Sequence, residues 1–195
     1  MKIVLATRNP GKIAELRRIL SGFDIVGLEE FPDIEDVVET GVTFEENALL
    51  KAHAVAQAAG LPAVADDSGL CVDVLNGMPG VFSARWAGRH GDDRGNLELL
   101  LAQVSDVPER HLGAHFTCCA ALALPDGGQR TVEGILPGRL IREPRGTNGF
   151  GYDPIFVPEG DSRTTAELTA GEKDAISHRG RAFRALAPIV RELLS

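Results

Sequence analysis

The sequence predicts an α/β domain, and three observations carry that prediction. A short apolar run, Lys2-Ile3-Val4-Leu5-Ala6, passes through a tight turn into residues with helical spacing. A second helix, opened by a capping box at Thr43 and Glu46, leads into the apolar stretches on either side of Asp66-Asp67. Two further apolar runs, Phe116 to Leu124 and Gln129 to Leu136, flank the turn signal Pro125-Asp126-Gly127-Gly128 and add an antiparallel part. At 195 residues the chain suits one domain, or one domain with two lobes.

Composition narrows the class. The chain is 44% hydrophobic but only 5% aromatic, so aliphatic side chains must fill its core. Its net charge of −8 argues against a non-specific nucleic-acid binder or a binder of anionic membranes. A polyphosphate substrate stays open, because local cations can serve one pocket. Cys71, Cys118 and Cys119 form neither a zinc spacing nor a disulfide framework, which fits thiols in a cytoplasmic protein. The run from Met1 to Ala6 is too short for a signal peptide. No stretch reaches the ~18 apolar residues needed to span a bilayer.

In chain order, the first strand is followed by Thr7-Arg8-Asn9-Pro10-Gly11-Lys12, with Ile13, Leu16, Ile19 and Leu20 at helical spacing. Asn9 is a good N-cap and Pro10 a good first helical residue. The resulting helix N-terminus is either an ordinary capped βα unit or an anion site, with Arg8 and Lys12 adding charge beside it. Residues 24–42 are acidic, and Asp33, Glu35, Asp36 and Glu39 read mostly as a solvated face. The next helix runs from about Phe44 to Ala59 and stops at Gly60. Its small residues Ala48, Ala52, Ala56 and Ala59 imply close packing on a sheet. Lys51, on the same helix, reads as solvated.

Residues 65–74, Ala-Asp-Asp-Ser-Gly-Leu-Cys-Val-Asp-Val, are the stretch around which the rest is organised. Short apolar runs bounded by Pro62 and Gly69 read as buried strand ends. Two acids there are costly to desolvate without positive charge nearby. One reading is a turn in which Asp66 or Asp67 holds backbone N–H groups ahead of Gly69. The other is a site for a hard divalent cation, since carboxylate oxygens suit Mg²⁺, Mn²⁺ or Ca²⁺.

Asn76 to Gly88 is a glycine-rich loop with the single Trp, Trp86. Residues 92–104 form an amphipathic helix with Leu97, Leu100, Leu101 and Val104 inward. His111 and His115 are four apart, a metal-compatible spacing only on a helix, and Gly113 with a β run after it opposes that. Thr147 to Pro154 is a loop in which glycines flank Phe150; it either surrounds a flat ligand or tucks Phe150 into the core. Ile155-Phe156-Val157 is a short strand. Lys173, His178, Arg179 and Arg181 cluster before a last helix with Phe183, Leu186, Ile189, Val190 and Leu193 inward and a kink risk at Pro188. Cations at a helix N-terminus oppose its dipole, so they need a reason such as an anionic or carbonyl-bearing ligand.

Taken together, six motifs stand in one order: Thr7 to Lys12; Glu39-Thr40-Gly41 with Phe44-Glu45-Glu46-Asn47-Ala48; Ala65-Asp66-Asp67-Ser68-Gly69-Leu70; Ser83-Ala84-Arg85; Phe150-Gly151-Tyr152-Asp153-Pro154; and Ser177-His178-Arg179-Gly180. In this the chain resembles the inosine triphosphate pyrophosphatase family, the Ham1/RdgB-like pyrophosphatases of non-canonical purine nucleoside triphosphates. The resemblance covers nearly the whole chain; residues 105–115 and 125–130 carry no motif. It implies one pyrophosphatase domain over residues 1–195, with a long twisted mixed sheet, flanking helices and two lobes around a central nucleotide-binding cleft. It implies a cytoplasmic homodimer, with no nucleic-acid or membrane partner. It implies Mg²⁺, one or more ions per subunit with Mn²⁺ as a substitute. The implied activity converts ITP, dITP and XTP to the monophosphate and pyrophosphate, which cleanses the nucleotide pool.

Carried over residue by residue, Thr7, Arg8, Asn9, Pro10, Gly11 and Lys12 would bind the triphosphate. Glu39 and Asp67 would hold the metal, and Asp67 would also be the general base. Ser68, Phe150, Gly151, Tyr152, Asp153, Lys173, His178 and Arg179 would contact the nucleotide. Physical chemistry supports this pattern: a polyphosphate needs a helix N-terminus, cations and a metal to spread its developing charge. A carboxylate that ligates a cation is a weaker base, so Asp66 or Glu46 is an alternative for that role. Two other functions fit parts of the pattern. One is a pyrophosphatase for modified pyrimidine nucleotides, which the base-side residues oppose. The other is a nucleotide sensor without turnover, which the acids Glu39, Asp66 and Asp67 oppose.

Overall fold

The protein, as a computed structural model, is described over residues 2–194, so Met1 at the head of the first apolar run lies outside the described residues. Six strands form one mixed sheet in the order β2-β1-β3-β4-β5-β6. They are β1 (Lys2–Leu5), β2 (Asp24–Gly27), β3 (Ala63–Val72), β4 (Gly113–Ala123), β5 (Gln129–Leu140) and β6 (Phe156–Pro158). Strand β1 is parallel to β2 and β3, whereas β5 and β6 are antiparallel. The helices are α1 (Pro10–Ile19), α2 (Phe44–Ala59), α3 (Asp93–Gln103), α4 (Ala170–Ile176) and α5 (His178–Leu194). The α/β class is therefore as the sequence predicts.

Local chemistry explains most boundaries. Asn9 caps α1 through its side chain to Lys12 N, with Pro10 in the first turn. The Thr43–Glu46 capping box opens α2, and Gly60 closes it in the left-handed region at φ 63°. Helix α5 runs on through Pro188, which lies on its exposed side, where water can take over the lost helical bond. Helix α4 is not anticipated by the sequence reading, although Thr169 and Glu172 form a second capping box that marks its start.

The chain divides into two compact units. One comprises residues 1–67, 118–134 and 178–195; the other comprises residues 68–117 and 135–177. The first unit has a core on each face of its strands, as the period of two requires. Val4, Ala6, Ala63, Ala65, Ala121 and Ala123 pack with Ala48, Ala52, Val55 and Ala56 of α2. Alanine on both sides lets α2 lie close to the strands. Ile3, Leu5, Val64, Ala120 and Leu122 pack with Leu16 of α1 and Phe183, Leu186 and Val190 of α5. The second unit has its own core, in which Leu70, Val72, Phe116, Leu136 and Phe156 from the strands meet Leu100 of α3. The Phe116 and Phe156 rings meet edge to face at 4.7 Å.

One expectation is corrected here. Asp66 to Gly69 is neither a turn nor a break between two strands, because β3 runs unbroken from Ala63 to Val72. The two acids survive inside a strand because each meets its own cations. Gly69 is required for a different reason than a turn: a Cβ there would collide with the Gly80 carbonyl.

Candidate active site

Site residues gather into two groups, one in each unit. In the first unit the starting point is strand geometry, since adjacent residues of β3 face opposite ways. Asp66 falls on the side of α1 and α5, and Asp67 on the side of α2.

The Asp66 carboxylate is buried and takes Lys12 Nζ at 3.0 Å and Arg179 Nε at 3.2 Å, both at Oδ2. Arg179, on the first turn of α5, also pairs with Glu15 of α1. Burial alone would make the guanidinium easier to deprotonate, but Asp66 and Glu15 hold its pKa above the ordinary value. The basic start of α5 thus has its anions within the chain itself. The anion needed to justify a cation there is Asp66 with Glu15, and a ligand is not required for it. Glu15 is a participant the sequence reading missed; it sits on the polar side of a helix pattern and looks like any solvated acid.

The Asp67 carboxylate has a different shell. Asn47 Nδ2 donates to Oδ2 at 3.1 Å, and Lys51 Nζ lies 3.5 Å from Oδ1. The same ammonium is 2.6 Å from Glu39 Oε1. Burial pushes the Asp67 carboxyl above the usual carboxylate range, against the opposing pull of Lys51 and Lys12. Burial pulls the Lys51 ammonium down, yet Asp67, Asp66 and Glu39 together hold it above the ordinary lysine value. Lys51 is therefore not the solvated lysine read from the sequence: its side chain is 14% exposed and bridges two acids. Asn47, fully buried, also accepts from Gly41 N at 2.8 Å and so ties the 39–41 segment to Asp67. The signal for both was present, since Asn47 and Lys51 are four apart on one helix face beside the capping box.

The segment Thr7 to Lys12 turns into α1 as predicted. Thr7 Oγ1 accepts from Asn9 N at 3.2 Å, and Asn9 Oδ1 from Lys12 N at 3.1 Å. Arg8, Asn9 and Pro10 are exposed, while Thr7, Gly11 and Lys12 are half-buried. Arg8 reaches away from Asp66 and binds Asp36 Oδ1 at 2.8 Å and the Ile34 carbonyl at 2.6 Å. Glu46 is occupied by its cap, accepting from Val42 N at 2.7 Å and Thr43 N at 3.2 Å.

In the second unit, Asp153 is the hub. Its carboxylate accepts from Phe150 N at 2.9 Å, Thr165 Oγ1 at 2.8 Å and Lys173 Nζ at 2.5 Å. Lys173 is buried and lies 5.0 Å from the centre of the half-buried Phe150 ring. Gly149, at φ 76°, could carry no side chain, since a Cβ there would strike the Asp153 carboxylate. Tyr152 is buried and donates its hydroxyl to the Ser83 carbonyl at 2.9 Å. Ser83 Oγ in turn accepts from Leu70 N at 2.9 Å. Ser83 and the Tyr152 side chain thereby brace the loop, and Gly151 N is fixed by Asp93 Oδ2 at 2.9 Å. Ser68 is half-buried; His178, the first residue of α5 and part of the first unit, is buried.

Other chemistries find less support among the described residues. No group of three or more His, Cys, Asp or Glu side chains that could hold a metal occurs, His111 and His115 included. The three cysteines are buried, and burial with nearby Glu45 and Glu133 pushes the Cys119 thiol up to about 12, unsuited to a nucleophile. No helix is long and apolar enough to cross a membrane.

The model of the Ham1 family matches residues 3–189. The chain belongs to the Ham1 family. It is 70% identical to a dITP/XTP pyrophosphatase of Streptomyces coelicolor, over 99% of this chain and 98% of that protein. Among solved structures, it is similar to a nucleoside-triphosphatase / dITP/XTP pyrophosphatase from Mycobacterium abscessus, with 58% identity, a TM-score of 0.79, and 96% and 100% of the two chains covered. It is similar also to the Ham1 protein of Staphylococcus aureus, with 39% identity, a TM-score of 0.88, and 98% and 99% covered. The mixed six-stranded sheet with flanking helices is thus the fold of Ham1 structures.

Proposed function

We propose that this Ham1 protein hydrolyses non-canonical purine nucleoside triphosphates, ITP, dITP and XTP, to the monophosphate and pyrophosphate, acting over residues 1–195 as one pyrophosphatase domain. The observation that carries it is Glu39 and Asp67 gathered around one ammonium, Asp67 being on β3 next to Asp66, which holds Lys12 at a helix N-terminus. Relatives that share most of the sequence are named dITP/XTP pyrophosphatase, which supports this reading.

The donor set suits Mg²⁺, with Mn²⁺ as a substitute: two hard carboxylates, with no third acid grouped with them among the described residues, leave coordination positions for water and phosphate. Glu39 and Asp67 would hold the ion, which when bound would neutralise charge on the polyphosphate. Thr7 to Lys12 bring the positive end of α1 and the Lys12 ammonium to the phosphates. Asp67 is the acid placed to orient or deprotonate the attacking water. Asp66 is sealed by Lys12 and Arg179, and Glu46 is spent on its cap. In the other unit, Phe150 presents a ring, with the flanking main chain of Gly151 to Asp153, and Ser68 and Lys173 complete the nucleotide-side residues. His178 and nearby N–H donors would favour hypoxanthine and xanthine, whose C6 carbonyl accepts, over adenine, whose amino group leaves a donor unpaired at about 1–3 kcal/mol each. Arg179, committed to Asp66 and Glu15, contributes through those acids. The homodimer, cytoplasmic setting and absence of nucleic-acid and membrane partners belong to the same reading and rest on the family resemblance.

The deciding experiment is product analysis. Protein given ITP with Mg²⁺ is expected to release IMP and pyrophosphate, followed by phosphorus NMR. A leaving diphosphate can stay on the Thr7–Lys12 segment, where the Lys12 ammonium and the start of α1 stabilise its growing charge. Early orthophosphate with IDP would overturn this mode of binding.

A second expectation concerns the two cations of that segment. Lys12→Ala should raise KM or lower kcat for ITP by roughly 10²-fold, the scale of losing one preorganised charge contact. Arg8→Ala should change either by less than about threefold, because Arg8 is an exposed partner of Asp36. Steady-state kinetics of both variants measure this, and a more damaging Arg8→Ala would misplace the phosphates.

A further inference from the structure

The Lys51 ammonium lies where a divalent cation would serve Glu39 and Asp67, 2.6 Å from one carboxylate and 3.5 Å from the other. We infer that Lys51 is a built-in stand-in for the metal: it holds the carboxylate pair together in the nucleotide-free protein, weakens metal binding there, and so makes the metal enter with the nucleotide. The inference rests on the reading of Glu39 and Asp67 as metal ligands and adds a residue that controls them.

Three features support it. Asp67 has an anchor besides Lys51, and so has the segment that carries Glu39. Asn47 holds Asp67 Oδ2 and the Gly41 N–H, which anchors the 39–41 segment. Lys51 by contrast carries its charge on a flexible four-carbon stem. The pairing also goes beyond a surface ion pair, since the side chains of Lys51, Glu39 and Asp67 are 14%, 21% and 7% exposed. Finally, charge balance separates the two states. Two carboxylates and one ammonium leave a single negative charge, and a divalent ion added to them leaves a single positive one. That ion meets repulsion from Lys51 at short range unless further anions arrive. A polyphosphate supplies them and gives the displaced ammonium a new partner. Linkage then makes metal and nucleotide each tighten the other's binding by the same factor.

The test is Mn²⁺ titration of the full chain without nucleotide, read from the electron paramagnetic resonance signal of free Mn²⁺. Lys51→Met is expected to bind Mn²⁺ at least about tenfold more tightly than the unsubstituted protein, as relief of a close repulsion requires. Lys51→Arg, which keeps the charge, should stay near the unsubstituted value. The gain should vanish in Lys51→Met/Asp67→Asn. A non-hydrolysable ITP analogue should tighten Mn²⁺ binding to the unsubstituted protein more than to Lys51→Met. If Lys51→Met binds Mn²⁺ no more tightly, the stand-in role is overturned while the metal site itself is untouched. If the gain survives Asp67→Asn, the ion sits elsewhere, and both the stand-in role and the metal assignment fall. Circular dichroism checks folding, and Lys51→Gln is judged by the same criterion if Lys51→Met does not fold.

Discussion

Asp67→Asn is expected to lower kcat for ITP by roughly 10³-fold, the scale of losing a positioned general base, while the fold stays intact. The substitution keeps the shape of the side chain and its bond from Asn47, and removes the charge shared with Glu39 around Lys51. Stability gives the control. Burial sets the folded pKa of Asp67 above its unfolded value, so its proton is bound more tightly in the folded protein. Such a group favours folding below its unfolded pKa, and that contribution is lost as pH rises through the folded pKa. At neutral pH the charged Asp67 therefore opposes folding, and the urea midpoint of Asp67→Asn at pH 7 should be no lower than that of the unsubstituted protein. Below about pH 3 the two should converge, because a protonated Asp67 resembles asparagine. Near-normal pyrophosphate release from folded Asp67→Asn would remove Asp67 from the mechanism.

Arg179→Ala is expected to destabilise the protein by about 3–5 kcal/mol, the cost of breaking a buried ion pair by removing one partner. Arg179 is buried between Asp66 and Glu15, and the Asp66 side chain is wholly inaccessible. Lys12 still compensates Asp66, so Glu15 bears most of the loss. Adding Glu15→Gln should restore part of it, because a neutral amide is cheaper to bury than an unpaired carboxylate. Arg163→Ala is the surface comparison. Arg163 pairs with Asp161 and Glu172 on half-exposed side chains, and its loss should leave the urea midpoint nearly unchanged. Urea unfolding at pH 7 measures all three variants. A loss under about 1 kcal/mol for Arg179→Ala would mean that the buried network does not hold α5 to the strands.

Local signals in the sequence proved good at placing helix ends and poor at placing charges. Asn9 with Pro10, and Thr43 with Glu46, mark their helices because a cap is satisfied within a few residues. The Thr169–Glu172 box carries the same information, next to the cations of residues 173–181. The alanine face of α2 was legible for a similar reason, since its spacing is a property of one helix. Asp66-Asp67 was legible as the centre of the molecule but not as a strand interior. An acid pair next to glycine looks like a turn until the compensating lysines and arginine, up to 113 residues away, are in place.

What the sequence by itself determined, then, is everything set by neighbours along the chain: the α/β class, the capped helices, the anion-ready start of α1 and the identity of the acids. The six motifs in order added the family. Only the tertiary structure decided which cation serves which acid. Strand β3 turns Asp66 to one face and Asp67 to the other. Lys12 and Arg179 are committed to the first, and Lys51 and Asn47 to the second. It also decided that the Tyr152 side chain and Ser83 brace a loop and that Glu15 balances a buried arginine. The reason is physical: the energy of a buried charge depends on what surrounds it in three dimensions, and distant segments supply those surroundings only once the chain has folded.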